Sequence, residues 1–148
     1  MKRTAVKIVI DAYAWIEIFI GSIRGKKAKE MLEGASETYT PGTVLAEVAR
    51  KYFREGVEQP VVLDRLKIVA EASDVTSISV EGALETARCY MQLLDEAEKA
   101  GLKTPSLFDA IVLATAKLLK AKVLTGDEHF RNLSETLWIG NPKRERQR

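Results

Sequence analysis

Four carboxylates in this 148-residue chain could do chemistry together: Asp11, Glu47, Asp109 and Asp127. Asp11 ends the β-branched run of residues 6–10, and Asp127 follows Thr125 and Gly126 where the apolar run that starts at Val123 breaks off. Glu47 falls in the second turn of a helix opened by Thr40-Pro41, and Asp109 in the first turn of one opened by Thr104-Pro105. Each acid has an ordinary explanation alone. A strand-end Asp makes a turn, Ser106-x-x-Asp109 is a capping box, and a helical Glu can simply be solvated. Gathered in one pocket, however, they would repel by more than about 1 kcal/mol per close pair at an effective dielectric near 20. Something positive must then hold them. The single cysteine, Cys89, and the single histidine, His129, stand at no recognised zinc spacing. Hard oxygen ligands argue instead for Mg²⁺ or Mn²⁺. Such an ion acidifies a bound water, polarises a phosphoryl oxygen and orients an in-line attack, so no histidine base is required. Phosphodiester hydrolysis is the natural chemistry of the set.

The elements around these acids predict that they converge. Residues 6–10, 37–40, 75–80, 123–125 and 136–139 read as short strands. Helical spacing covers residues 12–20, 26–33, 61–71 and 82–99, together with the two helices that begin at Thr-Pro and carry Glu47 and Asp109. Strands alternating with helices give an α/β fold with a mostly parallel sheet of four to five strands. Ligand crevices in such sheets lie beyond the carboxyl ends of the strands, where a following helix also begins.

Composition sets the outer bounds. With 46% hydrophobic and 30% charged residues, the chain suits one domain with one core, over residues 1–142, and needs no staple. Its apolar runs are too short to span a bilayer, and its first residues lack the pattern of a signal peptide. A cytoplasmic location and no membrane partner are expected. The formal charge of +2 is concentrated in residues 143–148, a basic tail expected to be disordered, so any nucleic-acid contact must come from local patches.

Four segments together resemble the PIN-domain ribonucleases, and within them the VapC-like toxins of toxin–antitoxin pairs: "VIDAYAWIEIF", "PGTVLAEVARKY", "PSLFDAIVLATA" and "VLTGDEHF". The resemblance covers nearly the whole chain and implies a PIN-like three-layer sandwich. It implies that Asp11, Glu47, Asp109 and Asp127 coordinate one or two Mg²⁺ or Mn²⁺ ions. It further implies that the protein is an endoribonuclease cleaving RNA to 5′-phosphate and 3′-hydroxyl ends, and that the Thr125 hydroxyl orients an acid or a metal-bound water. An antitoxin peptide and a homodimeric state are the partners it implies.

Other residues have both a structural and a functional reading. Arg50, Arg54 and Arg131 can line a phosphate path or form a solvated face. Ser106 is a helix cap that can also touch substrate. Tyr13, Trp15, Phe19, Tyr52 and Phe53 are more aromatic surface than two helices need, and form either an antitoxin groove or a buried core. His129 is assigned to the surface or to packing. Three alternatives stand beside the toxin: a PIN nuclease of RNA maturation without an antitoxin, a catalytically silent PIN scaffold, and a phosphatase or phosphoreceiver with an Asp nucleophile. The last is weakened by the lack of an Asp-x-Asp motif.

Overall fold

The computed structural model describes residues 5–142; the basic tail of residues 143–148 lies outside them. In chain order the elements are β1 (Lys7–Ile10), α1 (Ala12–Ile20), α2 (Ile23–Gly34), β2 (Glu37–Pro41), α3 (Gly42–Arg54), α4 (Gln59–Ala72), β3 (Asp74–Thr76), α5 (Val80–Ala100), α6 (Leu107–Leu119), β4 (Lys122–Thr125) and β5 (Thr136–Trp138). A single 3₁₀ turn, Glu128–Phe130, follows β4.

The five strands form one sheet in the order β3-β2-β1-β4-β5, with every pairing parallel. Consecutive strand residues point to opposite faces. Ile8, Val9 and Ile10 are nevertheless all buried, as are Val123 and Leu124, so helices cover both faces and the fold is a three-layer α/β sandwich. This is why the central strands are uniformly apolar rather than alternating. Cys89 lies in the same core. Among the described residues no helix is long and apolar enough to cross a membrane.

Several boundaries differ from the sequence expectation, each for a capping reason. Pro41 and Pro105 do not take the first helical position. Pro41 ends β2 with extended backbone (φ −57°, ψ 140°), and Pro105 precedes Ser106, whose side chain caps α6. The third strand stops at Thr76 because Ser79 accepts the backbone N–H of Gly82, which starts α5 at Val80. Likewise Ser22 accepts from Gly25 N–H and starts α2 at Ile23, three residues before the expected start.

A buried chain of hydroxyls ties α1, β2 and α4 together. Trp15 Nε1 donates to Thr40 Oγ1 at 3.1 Å, Thr40 and Ser73 hydroxyls bond at 2.7 Å, and Ser73 Oγ donates to the Val69 carbonyl at 2.8 Å. The Ser73 proton is committed to that carbonyl, so Thr40 donates to Ser73 while accepting from Trp15. Thr40→Val keeps the volume and leaves the indole N–H and the Ser73 oxygen without these partners. It is expected to cost about 1–3 kcal/mol, the range for a buried polar group stripped of its partner, measured as a lower urea midpoint with unchanged slope.

Candidate metal centre

The strand order reverses between β1 and β4, so a crevice opens there beyond their carboxyl ends. Asp11 is the first residue after β1 and caps α1, its Oδ1 accepting from Ala14 N–H at 3.0 Å. Its Oδ2 accepts the hydroxyl proton of Thr125, the last residue of β4. Thr125 Oγ1 in turn accepts from the backbone N–H of Asp127 at 2.9 Å. Asp127 Oδ1 accepts from His129 N–H at 2.9 Å and caps the 3₁₀ turn. Asp127 therefore serves as a turn residue and as a crevice acid at once, since its second oxygen is not used by the cap.

The path of the loop from Thr125 to Asp127 depends on two glycines. A Cβ on Gly126 would overlap the Tyr13 ring and lie 2.9 Å from Gly140 Cα, while a Cβ on Gly140 would overlap the Trp138 indole. Tyr13 is held from the far side by Arg24, whose Nη1 donates to the phenol oxygen at 2.8 Å and whose Nη2 donates to Asn141 Oδ1.

Asp109 closes the expected capping box: its backbone N–H donates to Ser106 Oγ at 3.1 Å and its Oδ2 accepts from Ser106 N–H at 3.0 Å. Glu47 and Asp109 line, with Asp127 and His129, a cleft of about 650 Å³ whose other wall is the connection between α5 and α6, at Leu102, Lys103, Thr104 and Ser106. A second cleft of about 280 Å³ shares Glu47 and is bordered by Arg50, Lys51 and Arg54 of α3. A separate cavity of about 330 Å³ between the start of α5 and the end of α6 has Glu81 as its one ionisable lining residue, so it offers no comparable chemistry.

Electrostatics tie the four acids together. Burial pushes the Asp11 carboxyl up to about 8 against the Thr125 and Ala14 hydrogen bonds, and the charges of Asp127 and Glu47 add to the rise. Burial raises Glu47 to about 7, with Asp109 and Asp127 adding and Arg50 opposing. Asp109 is raised by burial and then by Asp127, against its bonds to Ser106 and the pull of His129. Asp127 thus acts on all three of the others. A shared cation would remove the conflict that Asp11, Glu47 and Asp109 register, and all four acids offer hard oxygen donors, so the residues fit Mg²⁺ or Mn²⁺.

Of the two sequence readings of the histidine, surface or packing, its burial agrees with the second, and its ring also faces the acids. His129 is not at the surface: its ring lies 3.1 Å from Asp127 Oδ1 and 3.9 Å from Asp109 Oδ2 through Nδ1, and 2.8 Å from the Lys103 carbonyl through Nε2. Among the described residues, Asp109, Asp127 and His129 form a group whose ligand atoms all lie within 4.8 Å of one another. The signal was its position two residues after Asp127; what could not be read was that the α5–α6 connection returns to meet it. Leu102 and Lys103 went unnoticed for the same reason, and Thr104 was read only as part of a helix opening.

Of the remaining candidates, Arg131 is engaged by Glu128 at 3.1 Å, by the Trp138 ring at 5.0 Å and by the Asn141 carbonyl at 3.1 Å, which leaves it little freedom to follow phosphates. The aromatic set divides. Trp15 and Tyr52 are core residues, 2% and 5% exposed, so they line no groove. Phe19 is wedged between them, with ring centroids 6.1 Å and 6.5 Å away, and Arg65 lies 4.4 Å over Tyr52. Phe53 is exposed.

A family model for the PIN domain matches residues 8–135, most of the chain and all four acids. Comparison with curated proteins finds no match. Among solved structures, a toxin–antitoxin complex from Klebsiella pneumoniae superposes with a TM-score of 0.62 at 22% identity, covering 92% of this chain and 98% of that one. VapC20 of Mycobacterium tuberculosis, described as a toxin cleaving the sarcin–ricin loop, gives 0.65 at 17% identity, covering 86% and 95%. VapBC2 of Rickettsia felis, bound to a promoter DNA fragment, gives 0.63 at 16% identity, covering 90% and 97%. At these identities the likeness is one of fold.

The raised carboxyls make stability depend on pH. A group whose folded-state value exceeds its unfolded value stabilises the fold at low pH and loses that contribution as pH rises through the folded value. The metal-free protein is therefore expected to lose melting temperature between about pH 4 and about pH 8, the span from the ordinary to the raised value of Asp11. Asp11→Asn should flatten this slope and raise the melting temperature at the upper end. Excess Mn²⁺ should reverse the slope for the unsubstituted protein, because metal binding needs the ionised acids. Equal pH profiles for the two proteins in EDTA would contradict the assignment.

Proposed function

Because the chain belongs to the PIN domain family, we propose that it is a Mg²⁺- or Mn²⁺-dependent endoribonuclease and the toxin of a toxin–antitoxin pair. The observation that carries the proposal is the convergence of the four acids where the strand order reverses: Glu47, Asp109 and Asp127 line one cleft, and Thr125 joins Asp11 to Asp127. Converging carboxylates that Arg50 and His129 offset only in part favour a bound cation, and clefts border Glu47 on the α3 side and on the side of the α5–α6 connection. When bound, the ion supplies an acidified water and neutralises charge at the phosphoryl oxygens.

The chain's own groups do the positioning. Thr125 holds one oxygen of Asp11 by donating to it and fixes the Asp127 backbone by accepting from it. Ser106 N–H holds the Asp109 carboxylate while its hydroxyl accepts the Asp109 backbone N–H, so the residue that caps α6 also orients an acid of the site. Arg50 and Arg54, one helical turn apart beside Glu47, are placed to receive the phosphates on the α3 side. Arg131 drops out of this set because its partners are internal.

The toxin role is supported by the assemblies found among the similar folds, several of which are toxin–antitoxin complexes. For an antitoxin segment, exposed Phe53, Ile20 and Ile23 offer apolar contacts, whereas Trp15 and Tyr52 are buried. Exposed Val80, Leu84, Met91 and Leu118 on α5 and α6 favour a homodimer, whose two-fold interface would cover them.

Purified protein with Mn²⁺ should cleave RNA internally, leave 5′-phosphate ends, and stop in EDTA. Asp11→Asn, Glu47→Gln, Asp109→Asn and Asp127→Asn should each lower turnover by about 10²-fold or more, while Glu98→Gln, exposed on α5, leaves it unchanged. Near-normal turnover in any two of the four would refute the site. Light scattering on the same preparation should report a dimer mass at micromolar concentration.

A further inference from the structure

His129 is the chain's single imidazole. Its side chain is only 9% exposed, in the wall of the cleft that holds Glu47, Asp109 and Asp127. Both ring nitrogens are spoken for in a particular way. Nε2 faces the Lys103 carbonyl at 2.8 Å, and a carbonyl can only accept, so Nε2 carries a proton. Nδ1 faces Asp127 Oδ1 at 3.1 Å and Asp109 Oδ2 at 3.9 Å. Carboxylate oxygens also only accept, so a positive species must lie between the three atoms, either a second proton on the ring or a metal ion that takes its place.

Metal-ligating histidines have this arrangement: one nitrogen binds the ion, and the other donates to a backbone carbonyl that fixes the ring. The carboxylate partners are fixed as well, Asp109 by Ser106 N–H and Asp127 by His129 N–H. The spacing fits. Ligands at about 2.1 Å from an octahedral ion are about 3.0 Å apart when adjacent and about 4.2 Å apart when opposite, and the two separations from Nδ1 fall close to or between those values.

We infer that His129 Nδ1 is a ligand, together with Asp109 and Asp127, of a mixed nitrogen–oxygen site that takes a first-row transition ion such as Mn²⁺ or Co²⁺ in preference to Mg²⁺. The inference rests on the proposal that Asp109 and Asp127 bind the nuclease ion, and adds a selectivity that an all-carboxylate site lacks. Mg²⁺ strongly prefers an all-oxygen shell and keeps its waters, whereas imidazole suits transition ions. The Lys103 carbonyl makes the α5–α6 connection part of the site, since it orients the ring.

The test uses untagged full-length protein loaded with Mn²⁺ and read by electron spin echo modulation. One histidine makes the assignment unambiguous. Nitrogen modulation of imidazole type is expected, and it should change when the protein is grown with ¹⁵N-histidine, with no substitution needed. His129→Gln should abolish the modulation and weaken Mn²⁺ binding by about 10–100-fold in calorimetric titration, while Mg²⁺ affinity shifts by less than about threefold. Mn²⁺ binding with no histidine nitrogen coupling would overturn the inference and leave the metal-nuclease proposal standing, with a proton in place of the ion at Nδ1. Failure of both Mn²⁺ and Mg²⁺ to bind the unsubstituted protein would overturn both.

Discussion

The constraint on which the site depends is the gathering of like charge at one edge of the sheet. Asp11 is nearly inaccessible to water, yet its neighbours across the crevice are further carboxylates, and burial with their repulsion lifts its carboxyl to about 8. Among the described residues the side chain that bonds it directly is a hydroxyl, Thr125, which cannot neutralise it. Such an acid makes physical sense as one part of a cation site, its cost met when an ion binds. Substitutions at frustrated functional sites commonly stabilise a fold while destroying what it does.

The rest of the architecture keeps the four acids within reach of one another. Parallel pairing of β1 with β4 sets Ile10 beside Leu124, so the residues that follow each strand emerge at the same level. On the outer side, the Asp127 loop is clamped by close approach of backbone to backbone at Gly126 and Gly140, with Tyr13 wedged against it. Trp138 Nε1 and Arg131 both donate to the Asn141 carbonyl, so the segment after β5 is fastened beneath that loop. On the inner side, the capping box fixes Asp109, and the His129 ring bridges the α5–α6 connection to Asp127. Helix caps and turn residues, which look like local details, are the means by which the site keeps its geometry.

Much of this was legible in the sequence because its causes are local. The β-branched run before Asp11 needed two covered faces, and Ser106-x-x-Asp109 needed nothing beyond its own turn. The acids could be placed at one crevice because each followed a strand or opened a helix. What escaped the sequence depended on contacts between distant segments. The proline at each helix opening looked the same as a first-turn proline until Ser106 was found to be the cap of α6. The burial of Trp15 and Tyr52 follows from α1, α3 and α4 closing over them, and no aromatic count distinguishes that from a groove. The role of His129 required knowing that Lys103, twenty-six residues earlier in the chain, turns its carbonyl toward the ring.

The central claim is that the acids share one electrostatic field that only a cation relieves. Carbon-13 detection of the side-chain carboxyls, followed through a pH titration, measures it directly. In metal-free protein the Asp11 carboxyl should titrate near 8 and Glu47 near 7, and in saturating Mg²⁺, which is diamagnetic, both midpoints should move sharply down. Ordinary carboxylate midpoints in the metal-free protein, or raised midpoints that Mg²⁺ leaves in place, would contradict the account.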